Sequence, residues 1–230
     1  MIQAIFFDFN GVIIDDEPLQ MLAYKEILRS HDIDLSEADY YGALGLDDKG
    51  FVRYAFQRAD KALTDDVLKA VLAEKGVRHR QLIENDLPLF PGVVTFLKAT
   101  ARDYPLGIVS MATLNEIEYV LNRAQLLTLF SVVVSSADVN DCKPAPDCYR
   151  FGFEKLNEKR RTARLLPLLP TECLVIEDSP PGIESGKAAG MRTLGVTNTV
   201  SEGELRDAGA EVVTASLADW TVDSVHHVFD

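Results

Sequence analysis

Short apolar runs that end at a polar residue recur along the chain. The first occupies residues 5–7, stops at Asp8 and turns on Gly11. Apolar runs of this length, bounded by turn signals, are typical of buried parallel strands. The later runs lie at residues 106–109, 132–134 and 174–176, and they lead to Ser110, to Lys143 and to the Glu177-Asp178 pair.

Helical periodicity separates these runs through most of the chain. Helices are predicted near residues 93–102, 114–124, 146–157 and 182–189, and two further strands near residues 192–196 and 211–213. Alternation of strand and helix indicates an α/β fold with a doubly wound parallel sheet. Residues 158–169, basic and then rich in leucine, are predicted to be an insertion with a short helix. We expect that segment to present a solvent-exposed face, and the alternative is that it binds a partner.

Residues 17–86 carry a different pattern. Apolar residues recur there at helical spacing, residues 42–46 form a break, and helices are expected near residues 49–60 and 65–85. No strong strand signal is present. The sequence therefore predicts a helical insertion, or cap, at residues 17–86, and an α/β core at residues 1–16 and 87–230.

The polar residues that follow the strands are expected to form one site. In a parallel sheet all carboxyl ends lie at one edge, where ligands of open α/β sheets bind. Asp8 can act as a nucleophile, and carboxylates such as Glu177 and Asp178 suit Mg²⁺. Ser110 and Lys143 can hold the phosphoryl oxygens on which charge develops. This set of residues favours phosphoryl transfer.

In these motifs the chain resembles the haloacid dehalogenase superfamily, in the branch similar to β-phosphoglucomutase. The first motif matches at Asp8, Gly11 and Val12, the second at Ser110, the third at Lys143-Pro144 and the fourth at Glu177-Asp178-Ser179. The resemblance covers nearly the whole chain, and the four motifs occur in the family's order.

The resemblance implies a role for each matching residue. Asp8 is the expected nucleophile and a Mg²⁺ ligand, and the backbone carbonyl of Asn10 is another ligand. Asp178 is expected to bind Mg²⁺ directly, and Glu177 to bind it directly or through water. The substrate is expected to be a small phosphorylated metabolite, contacted by Gly11, Ser110, Met111, Lys143 and, from the cap, Lys49.

Asn10 departs from the family pattern, which has an aspartate there as the acid and base. An amide can form hydrogen bonds but cannot transfer a proton. General acid–base catalysis contributes about 10²–10⁴-fold, so slow turnover is expected. The alternatives are a non-catalytic binder of phosphate ligands and a sugar-phosphate mutase. Mutase activity is disfavoured because the early cap helix carries Gln20 where the mutases that the chain resembles use a cap histidine. A metal-free dehalogenase and a phosphonate hydrolase are disfavoured further.

Other polar residues have simpler interpretations. The run Asp15-Asp16-Glu17 is typical of a helix start, where acids are favoured, and a catalytic role for one of the three is the alternative. The histidines lack metal-ligand spacing and are expected to be surface or packing residues, far from the motifs: His31, His79, His226 and His227.

The composition of the chain indicates which classes of partner it can bind and where in the cell it is expected. The net charge of −13 over 230 residues disfavours nucleic acid and anionic membranes as partners. Three cysteines without a CxxC pair favour reduced thiols, and the N-terminal residues match no signal peptide, so a cytoplasmic location is expected. No apolar run approaches the roughly 18–20 residues of a membrane span.

Overall fold

The computed structural model describes residues 1–229. Six parallel strands form one sheet in the order β3-β2-β1-β4-β5-β6. The strands are β1 (Ala4–Phe7), β2 (Leu106–Val109), β3 (Phe130–Val134), β4 (Cys173–Glu177), β5 (Arg192–Val196) and β6 (Val212–Thr214). The helices are α1 (Glu17–Arg29), α2 (Glu37–Tyr41), α3 (Asp48–Arg58), α4 (Asp65–Ile83), α5 (Val93–Thr100), α6 (Leu114–Arg123), α7 (Asp147–Thr162), α8 (Pro180–Ala188), α9 (Glu202–Asp207) and α10 (Val222–Phe229). The predicted α/β class and parallel sheet are confirmed.

β1 lies at the centre of the sheet, because it pairs with both β2 and β4. All four of its residues are buried, and so are all five of β4. Layers of apolar side chains cover both faces of the sheet. The chain changes direction across the sheet at β1, where the crevice between strand ends forms the ligand site in such folds.

Helices α1 to α4 follow β1 and form an inserted helical unit with its own hydrophobic cluster. Tyr24, Phe51 and Val71 lie in this cluster, which is separate from the two clusters on the sheet. The inserted helical cap is therefore confirmed as part of the fold, while its exact limits at residues 17 and 86 stay a prediction. Among the described residues, no helix is both long and apolar enough to cross a membrane.

The prediction of a separate insertion at residues 158–169 is wrong in its first part. Helix α7 continues to Thr162, and basic residues occupy its last turn, where they complement the helix dipole. Arg164, with φ of 59°, lies in the turn that follows. Only residues 163–169 form a loop, and Arg160 fixes it by donating to the carbonyl of Leu166 at 2.8 Å.

Three helices were not predicted: α2, α9 and α10. Local signals for two of them were present in the sequence. Ser36 with Asp39, and Ser201 with Glu204, form capping boxes at the starts of α2 and α9. Both helices are short, so apolar periodicity over five or six residues gives too little signal to predict them.

Candidate active site

The ends of the central strands bring the predicted residues together. Asp8 follows β1, Ser110 follows β2, and Glu177 is the last residue of β4. Lys143 reaches this point from the loop after β3, and its Nζ lies 2.8 Å from Asp8 Oδ1 and 2.5 Å from Glu177 Oε1. The same ammonium donates to the carbonyl of Val109 at 3.2 Å. One cation therefore links two carboxylates and a strand end.

Three carboxylates form a group that could hold a metal ion. Oxygen atoms of Asp8, Glu177 and Asp178 lie within 4.8 Å of one another. Gly11 permits this arrangement, because a Cβ at its position would lie 1.9 Å from Asp178 Oδ2 and its φ is +75°. Only glycine adopts that backbone region without strain and leaves room for the carboxylate.

The charge balance of this group favours a divalent cation. Lys143 supplies one positive charge against three carboxylates. Burial raises the pKa of Asp8 to about 7, against the opposing effect of Lys143 and with Glu177 adding to the rise. Burial, with the charges of Asp8 and Glu177, raises the pKa of Asp178 well above its usual range. Hard oxygen ligands with excess negative charge suit Mg²⁺, so these residues fit the expected cofactor.

Glu177 is held by two hydroxyl groups. Tyr149 donates to Oε1 at 2.6 Å from α7, and Ser179 donates to Oε2 at 3.2 Å. With Lys143 also on Oε1, the carboxylate is largely occupied by protein donors. Its geometry therefore suits positioning Lys143 as well as ligating a metal. Tyr149 was missed by sequence reasoning, since a single tyrosine inside a predicted helix carries no functional signal.

Asp178 and Gly11 are also fixed from the loop after β5. Thr199 donates to Asp178 Oδ2, and Asn198 donates to the carbonyl of Gly11 at 2.7 Å. These two side chains connect the first and fourth motifs across the sheet edge. Neither was predicted, because nothing in the sequence locates this loop beside Asp8.

Ser110 and Met111 line the same cavity as Asp8, Asn10 and Lys143. Ser110 is buried, and its Oγ accepts from the backbone N–H of Ala112 at 3.1 Å. The hydroxyl proton is therefore free to point to a ligand. An ammonium, a hydroxyl and a carboxylate thus face one cavity, as expected for a site that binds a phosphoryl group.

Asn10 belongs to a buried polar network. Its Nδ2 donates to both oxygens of Asp16, at 2.9 Å and 3.1 Å, and Asp16 is fully buried. Gln20 Nε2 lies 3.0 Å from Asp16 Oδ2, and His79 Nε2 lies 2.8 Å from it. The expectation that His79 lies far from the motifs is wrong. Helix α4 brings it there through tertiary packing, which the local sequence does not reveal.

A second buried cluster lines the cap end of the cavity. Lys75 Nζ lies 3.0 Å from Asp48 Oδ1 and 2.9 Å from Glu116 Oε1, and Tyr24 donates to Asp48 at 2.5 Å. Burial opposes the charge on Lys75, but Asp48 and Glu116 together raise its pKa. Burial raises and Lys75 lowers the pKa of Glu116, with a net fall to about 2.

Lys49, predicted to contact the substrate, does not line the cavity of Asp8. Lys49 is exposed and lines a neighbouring cavity with Ala73 and Arg80, outside the cavity of Asp8. It lies on α3, next to Asp48, whose side chain instead points to the site. Lys75 is the cap lysine that lines the cavity. Successive residues of a helix point in different directions, which is why Asp48 lines the cavity of Asp8 and the next residue, Lys49, does not.

The comparisons agree with this architecture. A family model for haloacid dehalogenase-like hydrolases matches residues 2–190. Hexitol phosphatase B of Escherichia coli K12 is 30% identical over 225 residues, which cover 96% of this chain and 95% of that protein. A phosphorylated carbohydrates phosphatase of Thermotoga maritima is 27% identical over 212 residues, covering 90% and 92% of the two chains.

Two other similarities differ in extent. The crystal structure of β-phosphoglucomutase from Clostridium difficile has a TM-score of 0.84 at 22% identity, over 100% of this chain and 97% of that one. The chain spans only about 20% of the chloroplastic protein SUPPRESSOR OF QUENCHING 1 of Arabidopsis thaliana, at 25% identity over 227 residues. From the family match and the phosphatase relatives, the chain belongs to the haloacid dehalogenase-like hydrolases and is an enzyme of the phosphatase type.

Proposed function

We propose that this protein is a Mg²⁺-dependent phosphatase that releases phosphate from a small phosphorylated polyol or sugar. One observation carries the proposal: Asp8, Lys143 and Asp178, with the group of carboxylates that could hold a metal, lie at one end of a cavity whose other end is lined by the cap. The named activities of the relatives, a hexitol phosphatase and a phosphorylated carbohydrates phosphatase, support this choice of substrate class.

In the proposed mechanism Asp8 attacks phosphorus and forms an aspartyl-phosphate, which water then hydrolyses. Lys143 and Ser110 bind the phosphoryl oxygens and stabilise the charge that develops on them. Asp8, Asp178, Glu177 and the carbonyl of Asn10 would hold Mg²⁺. When bound, the metal offsets the repulsion between an anionic nucleophile and an anionic substrate.

The cap end of the cavity supports a neutral, hydroxyl-rich leaving group. Asp48 and Glu116 share the single cation Lys75, so this cluster has no positive charge left for a second substrate anion. Gln20 lines the cavity, and its buried Oε1 has no hydrogen-bond partner among the described residues. A substrate hydroxyl would satisfy that acceptor, whereas a carboxylate or a second phosphate would be repelled.

A metabolite screen tests the proposal. Freshly purified protein is incubated with hexitol and hexose monophosphates, with 2-phosphoglycolate and with sugar bisphosphates, each with Mg²⁺ or with EDTA. We expect Mg²⁺-dependent phosphate release, highest on the neutral monophosphates. A preference for 2-phosphoglycolate or for bisphosphates would contradict the substrate class.

Asn10 favours one other function, the binding of a phosphorylated ligand without turnover. The amide at position 10 cannot act as the proton carrier. In that case calorimetry would detect binding of a sugar phosphate in the presence of Mg²⁺, while no phosphate would be released over hours. Peptide mass analysis accompanies both assays, because deamidation at Asn10-Gly11 would create an aspartate.

A further inference from the structure

The orientation of Asn10 limits what its side chain can do. Only the amide nitrogen can donate, and it donates to both oxygens of Asp16, so Asn10 Oδ1 is turned away from Asp16. Asn10 lines the cavity, where this oxygen can accept a hydrogen bond from a ligand or a water molecule. It cannot protonate a leaving group. A phosphatase with this site therefore needs a proton carrier elsewhere in the cavity.

Most carboxylates around the cavity are already engaged. Asp8 and Asp178 belong to the nucleophile and metal group, and Asp48 and Glu116 are paired with Lys75. Glu17, the first residue of α1, lines the cavity as well. In the described part of the chain Glu17 has no ion pair, and its Oε2 accepts a hydrogen bond from Tyr40 at 2.6 Å. It is thus a cavity-lining carboxyl group without a cation to hold it ionised.

We propose that Glu17 is the general acid and general base of this site, in place of the residue that Asn10 replaces. The proposal rests on the proposed phosphatase function. In the first step an Asp8 oxygen forms a bond to phosphorus, the bond from phosphorus to the substrate oxygen breaks, and that oxygen takes the proton of Glu17. In the second step a water oxygen bonds to phosphorus, the bond to Asp8 breaks, and the proton of the water returns to Glu17. The products are an alcohol and inorganic phosphate.

The surroundings of Glu17 give it a suitable proton affinity. Burial raises the pKa of Glu17 to about 7, and the negative charges of Asp16 and Asp8 add to the rise, while the Tyr40 hydrogen bond and Lys75 oppose it. Catalysis by proton transfer is most effective when the pKa lies near the working pH. The charged and titratable groups that act on Glu17 or respond to it are Asp8, Asp16, Tyr40, Tyr41, Lys75 and Asp178.

The variant Glu17→Gln tests the proposal. Glutamine keeps the shape and can still accept from Tyr40, but it carries no transferable proton. On the best alkyl phosphate of the screen we expect kcat/KM to fall about 10²–10⁴-fold. With 4-nitrophenyl phosphate the burst of nitrophenol should persist, because that leaving group departs without a proton, while the later steady state slows. Glu37→Gln, an exposed change on α2, should behave as wild type.

Two readouts separate a chemical role from a structural one. Beryllium fluoride binding with Mg²⁺, measured by calorimetry, should be unchanged in Glu17→Gln if the site is intact. The Tyr40 hydrogen bond lowers the pKa of Glu17, so its loss in Tyr40→Phe should raise that pKa and move the limb of the pH–rate profile assigned to Glu17 to higher pH.

The outcomes distinguish this proposal from the function on which it rests. If the wild-type protein releases phosphate from alkyl phosphates and Glu17→Gln does so at the same rate with the same pH profile, Glu17 is not the proton carrier and the phosphatase function stands. If fresh wild-type protein releases phosphate from no substrate of the screen, both proposals are overturned.

Discussion

At the scale of single residues, position 10 and position 16 must be considered together. Asn10 resembles a protonated aspartate in shape, and its amide donates to the buried carboxylate of Asp16. An aspartate at position 10 would place a second carboxyl group at hydrogen-bond distance from the first. Two carboxylates this close cannot both ionise readily, so one of them must hold a proton. Asp16 therefore determines how far Asn10→Asp can restore acid–base catalysis.

The first prediction compares Asn10→Asp with the exchanged pair Asn10→Asp/Asp16→Asn. The single variant should lose about 1–3 kcal/mol of stability near pH 7, because at most one hydrogen bond from a shared proton replaces the two that the amide donates to a buried carboxylate. Because the two carboxyl groups of the variant share a proton in the native state that the unfolded state releases, the stability of Asn10→Asp should fall as pH rises above about 4.

The exchanged pair restores an amide-to-carboxylate hydrogen bond and should recover most of this stability. Its turnover of alkyl phosphates should exceed that of wild type, since a carboxyl group returns to position 10. Urea unfolding near pH 5 and pH 8, with phosphate-release assays, measures both effects. Equal stability of the single variant and wild type at both pH values would contradict the assigned Asn10–Asp16 contact.

The second prediction concerns the metal ligands. Asp178→Asn removes a hard anionic oxygen from the group formed with Asp8 and Glu177. Mg²⁺ affinity, measured by calorimetry, should fall at least about tenfold, which corresponds to roughly 1.4 kcal/mol. Glu184→Gln, an exposed change on α8, is the matched control and should bind Mg²⁺ as wild type does. Similar affinities in the two variants would refute the ligand assignment.

The third prediction distinguishes the two cap lysines. Lys75→Met leaves Asp48 and Glu116 without their shared cation in a buried setting, which costs about 3–5 kcal/mol when one partner of a buried pair is removed. Lys49→Met alters an exposed side chain outside the cavity, so its effect should stay within about 0.5 kcal/mol. Urea denaturation of both variants gives the comparison, and an equal or larger loss of stability in Lys49→Met would contradict the buried ion pairs assigned to Lys75.

At the scale of elements, helices α4 and α6 connect the cap to the core. Arg123, at the end of α6, donates at 2.8 Å to the carbonyls of Ile83 and Glu84, at the end of α4. These carbonyls belong to the last turn of the helix, where no intrahelical partner is available. Glu116 of α6 also contacts Lys75 of α4. One core helix thus fixes the cap helix that carries both Lys75 and His79.

The fourth prediction tests this connection. Arg123→Gln should weaken the end of α4 and increase hydrogen exchange of the amides between residues 80 and 86, because the terminal carbonyls lose their donor. The sheet amides of β1 and β4 should exchange as in wild type. Arg102→Gln, an exposed arginine change beyond α5, serves as the control. Unchanged exchange at the end of α4 would show that Arg123 does not hold the cap helix.

At the scale of the whole molecule, the active-site carboxylates oppose folding when no divalent cation is bound. The pKa of Asp8 is raised to about 7 and that of Asp178 is raised well above its usual range, chiefly by burial. A carboxyl group whose pKa is higher in the native state keeps protons that the unfolded chain loses. The stability of the metal-free protein should therefore decline as pH rises from about 4 towards 7.

The fifth prediction follows from this linkage. Mg²⁺ binds the ionised carboxylates, so its stabilising effect should be larger near pH 7.5 than near pH 5.5. At pH 7.5, a Mg²⁺ concentration of 100 times the Kd at that pH adds about 2.7 kcal/mol to the free energy of unfolding. For a chain of this size this raises Tm by roughly 5–10 °C. Thermal unfolding with the same concentration of Mg²⁺ and with EDTA, at the two pH values, measures the Tm increase caused by the metal. An equal Tm increase at both pH values would contradict the linkage.

Much of the core was determined by local sequence. Strands β2 and β5 and the first motif follow from apolar runs bounded by turn signals, and they lie where they were predicted. The convergence of Asp8, Ser110, Lys143 and Asp178 also followed from the sequence, because the carboxyl ends of parallel strands share one edge. Short helices such as α2 escaped prediction, since few residues carry their signal.

The surroundings of those residues were decided by tertiary structure alone. Tyr149, Thr199 and His79 reach the site from α7, from the loop after β5 and from α4, at separations along the chain that no local pattern records. The choice of Lys75 over Lys49 depends on which face of each helix meets the core. The sequence by itself determined the chemical groups at the strand ends, because backbone direction places them there. Only packing between distant elements decided their hydrogen bonds, their proton affinities and the groups facing them from the cap.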